Sequence, residues 1–164
     1  GIISTAIKKE KANDLVIESA VNSMKTLNRE ASETLLDFNP HAVTDVTGFG
    51  LIGHLMEICK SSEVSASINL SEINFLPGAY DLANEGIIPG GSKRNLDHAE
   101  NFVNFSDSLS PIQRLLVCDA QTSGGLLISL PESRANSFIS NFGDQATIIG
   151  KIIEKNNYIV VVNP

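Results

Sequence analysis

The chain has 164 residues, enough for one ample hydrophobic core, and we expect a single domain over residues 1–164. A net charge of -7 argues against nucleic acid and anionic membranes as partners, because such binders need a basic stripe. No apolar run approaches the roughly 20 residues of a transmembrane span, and no signal segment opens the chain, so we expect a soluble cytoplasmic protein.

The first third of the chain predicts one extended segment followed by two helices. We predict a strand or strand remnant over residues 1–7. Val16, Ala20 and Met24 recur at helical spacing and predict a long amphipathic helix. A shorter helix is expected over residues 29–37, where an Asn-Pro pair ends it.

Asp45 lies where a short buried strand, residues 43–46, meets a glycine-rich turn and a helix. Gly48 and Gly50 permit a tight turn, and apolar residues from Leu51 onward then return on one helical face. A carboxylate at such a junction can bind a metal ion, and the free amides of the helix start attract anions. The alternative is that Asp45 only caps the turn or the helix by accepting from amides two or three residues on.

Two further polar, glycine-rich segments follow, over residues 88–95 and 118–126. In the first, Lys93 and Arg94 stand next to Gly90 and Gly91. Two cations at a helix N-terminus oppose its dipole, which favours contact with a nucleotide phosphate or an anionic product. Ordinary solvated surface charge is the alternative interpretation, and the residues leave both open.

The remaining pattern alternates between strands and helices, which predicts an α/β sandwich with a mixed sheet. A strand is expected over residues 64–70, and helices over 78–84 and 93–103 flank the second glycine segment. A short helix after Pro111 is expected to end at Val117, followed by a strand over 126–130 and a helix opened by Pro131. Residues 146–153 and 158–162 predict a terminal β-hairpin.

The cysteines and histidines give no sign of a catalytic or metal site. Cys59 and Cys118 fall on apolar helix faces without a CxxC partner, so we expect two structural thiols and no disulfide between them. His41, His54 and His98 show no spacing typical of metal ligands.

Taken together, the segments DVTGFG, PGGSKRN and QTSGGL resemble, in this order, the C-terminal domain of selenophosphate synthetase, also called selenide, water dikinase. The resemblance covers nearly the whole chain. Related pieces also occur in ATP-dependent enzymes such as aminoimidazole ribonucleotide synthetase and thiamine-phosphate kinase. The resemblance implies a three-layer α/β (α+β) sandwich of the aminoimidazole ribonucleotide synthetase-like superfamily. It also implies a role in making selenophosphate, AMP and orthophosphate from selenide, ATP and water.

The resemblance also implies which residues serve the site. Asp45 would be a ligand of the Mg²⁺ that accompanies ATP. The residues implied to line the cleft are Thr47, Gly48, Gly50, Gly90, Gly91, Arg94, Asn95, Gln121, Thr122, Ser123, Gly124 and Gly125. No catalytic residue is expected in this chain, because the family's nucleophilic Cys or selenocysteine, a Lys and most metal ligands belong to an N-terminal domain.

The chain is therefore expected to be the C-terminal half of a two-domain enzyme and to be inactive alone. Its expected partners are its own N-terminal domain, ATP and selenide, within a parent that forms a homodimer. Two alternatives remain: a non-catalytic binding or scaffolding domain, and the same domain of a related ATP-dependent synthetase or kinase.

Overall fold

A computed structural model describes residues 1–164 and contains eight α-helices and six strands. The helices are α1 (Ile2–Lys8), α2 (Asp14–Lys25), α3 (Arg29–Leu35), α4 (Gly50–Ser61), α5 (Ala79–Asn84), α6 (Gly90–Ala99), α7 (Pro111–Val117) and α8 (Glu132–Ile139). The strands are β1 (Ala42–Asp45), β2 (Ser65–Asn69), β3 (Val103–Phe105), β4 (Leu126–Ser129), β5 (Gly150–Ile153) and β6 (Val160–Asn163). The predicted mixed α/β class is confirmed.

The strands form two separate sheets. β1 and β4 make an antiparallel pair, and the other four make a mixed sheet in the order β3-β6-β2-β5. In the mixed sheet β6 runs parallel to both β2 and β3, whereas β5 runs antiparallel to β2. The short β1–β4 pair is the part of the fold that carries the Asp45 turn.

The predicted terminal hairpin is wrong. Both segments are strands, but β2 lies between them, so Ala66 faces Val160 on one side and Ile152 on the other. Val160 and Val162 are completely buried in the interior of the sheet. Insertion of β6 between β2 and β3 buries these two side chains, which an edge strand of a hairpin would leave partly exposed.

The predicted strand at the start of the chain is also wrong. Residues 2–8 form helix α1, and its side chains Ile2, Ile3 and Ala6 are buried among residues of α2, α5 and α7. β-branched residues favour strands only weakly, and packing of one apolar helix face overrides that preference.

A third difference concerns the helix predicted over residues 93–103. The helix begins three residues earlier, at Gly90, and ends at Ala99. Val103 and Phe105 then belong to β3, where both are buried against the mixed sheet. Their alternation with exposed Asn104 is the strand signal in this segment.

Two hydrophobic cores hold the fold together. One lies between the mixed sheet and helices α4 and α6, and contains the fully buried Ile52 and Met56 of α4. The other joins α1, α2, α5 and α7, with Ile2 at its centre. Burial of each such large aliphatic side chain stabilises the fold by about 1.5–3 kcal/mol. None of the eight helices is long and apolar enough to cross a membrane.

Candidate active-site wall

The β1–β4 pair brings two of the glycine-rich segments together. Asp45 faces Leu126 across the pair, so the chain leaves β1 beside the segment that enters β4. Beyond the pair, the amide of Val46 donates to the carbonyl of Gly125 at 2.9 Å, and the amide of Gln121 donates to the carbonyl of Thr47 at 2.9 Å. The turn after Asp45 is therefore bonded along its length to the Gln121–Gly125 segment.

Glycine is required where these segments touch. Gly50 has φ +70°, and a Cβ there would lie 2.7 Å from the carbonyl carbon and oxygen of Cys118. A Cβ on Gly124 would collide with the carbonyl oxygen of Val46. Any side chain at either position would force the two backbones apart.

Asn95 ties the third segment to the other two. Its side-chain amide donates to the carbonyl of Gly48 at 2.9 Å and to the carbonyl of Cys118 at 3.1 Å. Because the NH₂ group has two protons, one side chain satisfies an acceptor in each neighbouring segment. The structure thus joins all three segments at Asn95, whose predicted role was to line the cleft.

Asp119 is a buried carboxylate that the sequence pattern did not single out. Its Oδ1 accepts from the hydroxyl of Ser92 at 2.5 Å, and its Oδ2 accepts from the amide of Ile2 at 3.0 Å. Ser92 in turn accepts from the amide of Ala120 at 3.1 Å. This network joins the first turns of α1 and α6 to the 118–125 segment, and a carboxylate also suits the positive end of a helix dipole.

The Asp45 carboxylate, in contrast, is exposed and makes no hydrogen bond or ion pair in the fold. Helix α4 is preceded by Phe49 and has no side-chain cap, so the interpretation of Asp45 as a helix cap is wrong. No three His, Cys, Asp or Glu side chains lie together as a complete metal site. As a free oxygen donor at a strand end, Asp45 fits a role as one ligand of Mg²⁺, which takes one or two carboxylates and fills its shell with water and phosphate oxygens.

The residues predicted to line the cleft do not all share one pocket. A pocket of about 280 Å³ is lined by Gln121, Thr122, Gly124 and Gly125, together with residues of α1, α2 and other segments. Asp45 and the first turn of α6, with its glycines, lie outside this lining. Only four of the residues predicted to line the cleft therefore lie in this pocket, and one of the others, Gly50, is buried rather than exposed to a cleft.

The basic residues of α6 are free to meet solvent or a ligand. Lys93 and Arg94 are exposed, and neither takes part in an ion pair. The Arg94 side chain folds back toward the helix start, where a Cβ on Gly90 would lie 3.4 Å from its Nη1.

Ser123, in the segment between α7 and β4, has a left-handed φ of 54°.

Both cysteines are buried and unpaired, as predicted for structural thiols. Burial raises the pKa of Cys59 to about 11. Burial, with a smaller contribution from the Glu100 carboxylate, raises the pKa of Cys118 to about 12. Because the thiolate is the reactive form, neither cysteine has the properties of a nucleophile at neutral pH.

Residues 3–163 match the family described as AIR synthase related protein, C-terminal domain. This match covers nearly the whole chain, and the chain belongs to that family.

Among curated proteins, the chain is similar to several that are named selenide, water dikinase. It is 35% identical over 167 residues to that of Aliarcobacter butzleri, 40% over 165 residues to that of Clostridium botulinum strain Eklund 17B, and 38% over 166 residues to that of Campylobacter jejuni strain RM1221. These alignments cover 99% of this chain and 48%, 48% and 47% of the three relatives. The chain thus spans about half the length of the curated relatives that it matches.

Solved structures show the same fold at lower identity. The thiamine monophosphate kinase of Aquifex aeolicus superposes with a TM-score of 0.57 at 17% identity, covering 98% of this chain and 45% of that one. The thiamine-monophosphate kinase of Stenotrophomonas maltophilia K279a gives 0.59 at 16% identity, covering 99% and 46%. At this level of identity the likeness extends to the fold alone.

Proposed function

We propose that this chain is the C-terminal domain of a selenide, water dikinase, which makes selenophosphate, AMP and orthophosphate from selenide, ATP and water. The relatives of that name, at 35–40% identity over almost the whole chain, support the proposal. The joining of the DVTGFG, PGGSKRN and QTSGGL segments into one hydrogen-bonded unit supports it independently.

Asp45 is proposed as the residue that this domain contributes to Mg²⁺. The observation that carries this assignment is an exposed carboxylate without a protein partner on a turn that is otherwise bonded throughout. Val46, Thr47 and Gly48 each have a backbone group bonded to another segment of the chain. A turn held in this way fixes the backbone from which the carboxylate projects, so little backbone order has to be gained when a ligand binds.

The remaining ligands would come from ATP phosphates, water and the N-terminal domain of the parent. When bound, Mg²⁺ would offset the negative charge of the phosphates. The unpaired Lys93 and Arg94 side chains, at the start of α6, suit a second contact with phosphate or an anionic product. This chain would then form one wall of the active site, lined by the three glycine-rich segments.

The proposal also covers the partners and the oligomeric state of the parent protein. Its partners would be its own N-terminal domain, ATP and selenide, in a cytoplasmic parent that forms a homodimer. With no nucleophile in this chain, the isolated domain would be inactive.

The test is Asp45→Asn in the full-length parent, with Glu57→Gln as the matched control. Asn preserves the size of the side chain and removes its charge, and Glu57 is an exposed, unbonded carboxylate of α4. We expect Asp45→Asn to reduce selenophosphate formation at least tenfold at moderate Mg²⁺ without a change in melting temperature, whereas Glu57→Gln retains wild-type turnover.

Wild-type turnover in Asp45→Asn at every Mg²⁺ concentration would overturn the ligand assignment. A parent that binds neither ATP nor Mg²⁺ would instead favour a scaffolding domain.

A further inference from the structure

His54 makes the hydrogen bond that holds the middle of the Asp45 turn. It lies on α4 and is partly buried. The backbone amide of Thr47 donates to its Nε2 at 3.1 Å, and the Thr47 hydroxyl lies 3.2 Å from the same nitrogen. The spacing of the histidines along the chain gives no indication of this contact.

The contact determines the form of the imidazole ring. A backbone amide can only donate, so Nε2 must carry a lone pair and the ring proton must reside on Nδ1. The Thr47 hydroxyl, at a similar distance, can share the same acceptor. The ring is therefore neutral and in one tautomer whenever the turn has this conformation.

The surroundings of His54 leave the ring little freedom. The Phe49 ring lies beside it, with ring centroids 5.6 Å apart. Phe49 can lie against α4 only because residue 53 is glycine, where a Cβ would come within 2.5 Å of the Phe49 Cβ. An aromatic neighbour on one side and the Thr47 amide on another define the orientation of the imidazole.

Thr47 links the His54 ring to the segment of backbone that carries Asp45. Its carbonyl already accepts from the amides of Gln121 and Gly50, at 2.9 and 3.0 Å. His54 completes the set by accepting from its amide, so both polar backbone groups of Thr47 are satisfied. Only Val46 separates Thr47 from the Asp45 carboxylate.

We propose that His54 is a positioning residue, which orients the Asp45 carboxylate by accepting the Thr47 amide through Nε2 of a neutral ring. This inference rests on the proposed function, in which Asp45 binds Mg²⁺. Glutamine is the conservative replacement, since its carbonyl oxygen can accept the same amide, whereas leucine has similar bulk and no acceptor.

The first experiment uses NMR on the present chain and is independent of Mg²⁺. The nitrogen shifts of His54 are expected to show a protonated Nδ1 and an unprotonated Nε2. The Thr47 amide is expected to exchange with solvent about three- to tenfold faster in His54→Leu, and near the wild-type rate in His54→Gln. A proton on Nε2 in the wild-type chain would overturn the proposal even if both variants failed to fold, and so would unchanged exchange in a folded His54→Leu.

The second experiment measures the Mg²⁺ dependence of turnover in the full-length parent. His54→Leu is expected to raise the Mg²⁺ concentration for half-maximal rate about tenfold while kcat changes less, and His54→Gln is expected to restore most of the loss. His41→Leu, at an exposed histidine before β1, is the matched control and should behave as wild type.

The two proposals fail in different ways. Wild-type turnover in Asp45→Asn refutes the ligand assignment, while the NMR experiment still decides the tautomer and the Thr47 bond. Loss of turnover in Asp45→Asn, together with an unchanged Mg²⁺ dependence in His54→Leu, refutes the positioning role of His54 alone.

Discussion

The carboxylate of Asp119 accepts a hydrogen bond from the backbone amide of Ile2, 117 residues earlier in the chain, at 3.0 Å. The same carboxylate accepts from the Ser92 hydroxyl, so one side chain binds the starts of two helices. At the start of α1 this bond gives the Ile2 amide a partner that the helix itself cannot supply, whereas at α6 the donor is the Ser92 hydroxyl. Asp119 is thus a buried, bonded carboxylate, whereas the Asp45 carboxylate is exposed and has no partner in the fold.

This contrast predicts that the same Asp→Asn substitution affects stability differently at the two positions. Asp119→Asn replaces one accepting oxygen with an NH₂ group, which must face either the Ile2 amide or the Ser92 hydroxyl. We expect it to lower the free energy of unfolding by about 1–3 kcal/mol. Asp45→Asn should change it by less than about 0.5 kcal/mol, because the carboxylate has no partner in the fold. Urea denaturation of both variants is the measurement, and equal stabilities would contradict the network.

Two glycines of the Asp45 turn give a matched pair. Gly50 has φ +70°, and a Cβ there would press on the Cys118 carbonyl. Gly48 has no left-handed φ, and a Cβ there would meet no atom within 4 Å. We expect Gly50→Ala to cost more than about 2 kcal/mol, from strain and overlap together. Gly48→Ala should cost less than about 0.5 kcal/mol. Thermal unfolding compares the two, and a Gly50→Ala variant as stable as Gly48→Ala would refute the close approach.

The isolated chain should bind Mg-ATP weakly or not detectably. In the proposed arrangement it offers Mg²⁺ one carboxylate, that of Asp45, and its net charge of -7 repels a polyanion, against which Lys93 and Arg94 would supply two positive charges. Titration calorimetry with Mg-ATP is the measurement, and Asp45→Asn serves as the control for heat that arises elsewhere. A dissociation constant in the low micromolar range would mean that the nucleotide site is complete within this chain.

The two thiols predict a loss of stability at alkaline pH. Burial raises the pKa of Cys59 to about 11 and that of Cys118 to about 12, above the ordinary value of 9.0 that each regains on unfolding. Above pH 9 the unfolded chain releases thiol protons that the folded chain retains. The stabilisation is therefore complete below pH 9 and declines as the pH rises toward 11.

The measurement is the free energy of unfolding between pH 8 and pH 11, and the control is a variant with both cysteines replaced by alanine. The free energy of unfolding of this variant should decline less steeply with pH than that of the wild type. The folded wild type should also resist iodoacetamide at pH 8 and react once urea unfolds it. Rapid alkylation of the folded chain would contradict the burial of the thiols.

Local signals in the sequence predicted much of the fold. Apolar residues at helical spacing located α2 and α4, and Ser110-Pro111 located the start of α7, where Ser110 and Gln113 form a capping box. These features depend on residues three or four positions apart, so they can be read from one segment at a time. The three glycine-rich segments could be recognised for the same reason, together with Asp45 at the end of β1.

Contacts between distant segments determined the rest. An apolar run predicts a strand but not its neighbour, so the position of β6 between β2 and β3 followed only from the burial of Val160 and Val162. Whether residues 2–8 form a helix or a strand was likewise decided by packing against α2 and α5, with Asp119 supplying the partner for the helix start. The sequence determined which side chains could bind a metal or accept a hydrogen bond from an amide. The tertiary structure decided that the Asp45 carboxylate has no partner and that Asp119, Asn95 and His54 are hydrogen-bonded. It did so because hydrogen-bond partners far apart in the chain meet only after the cores have formed.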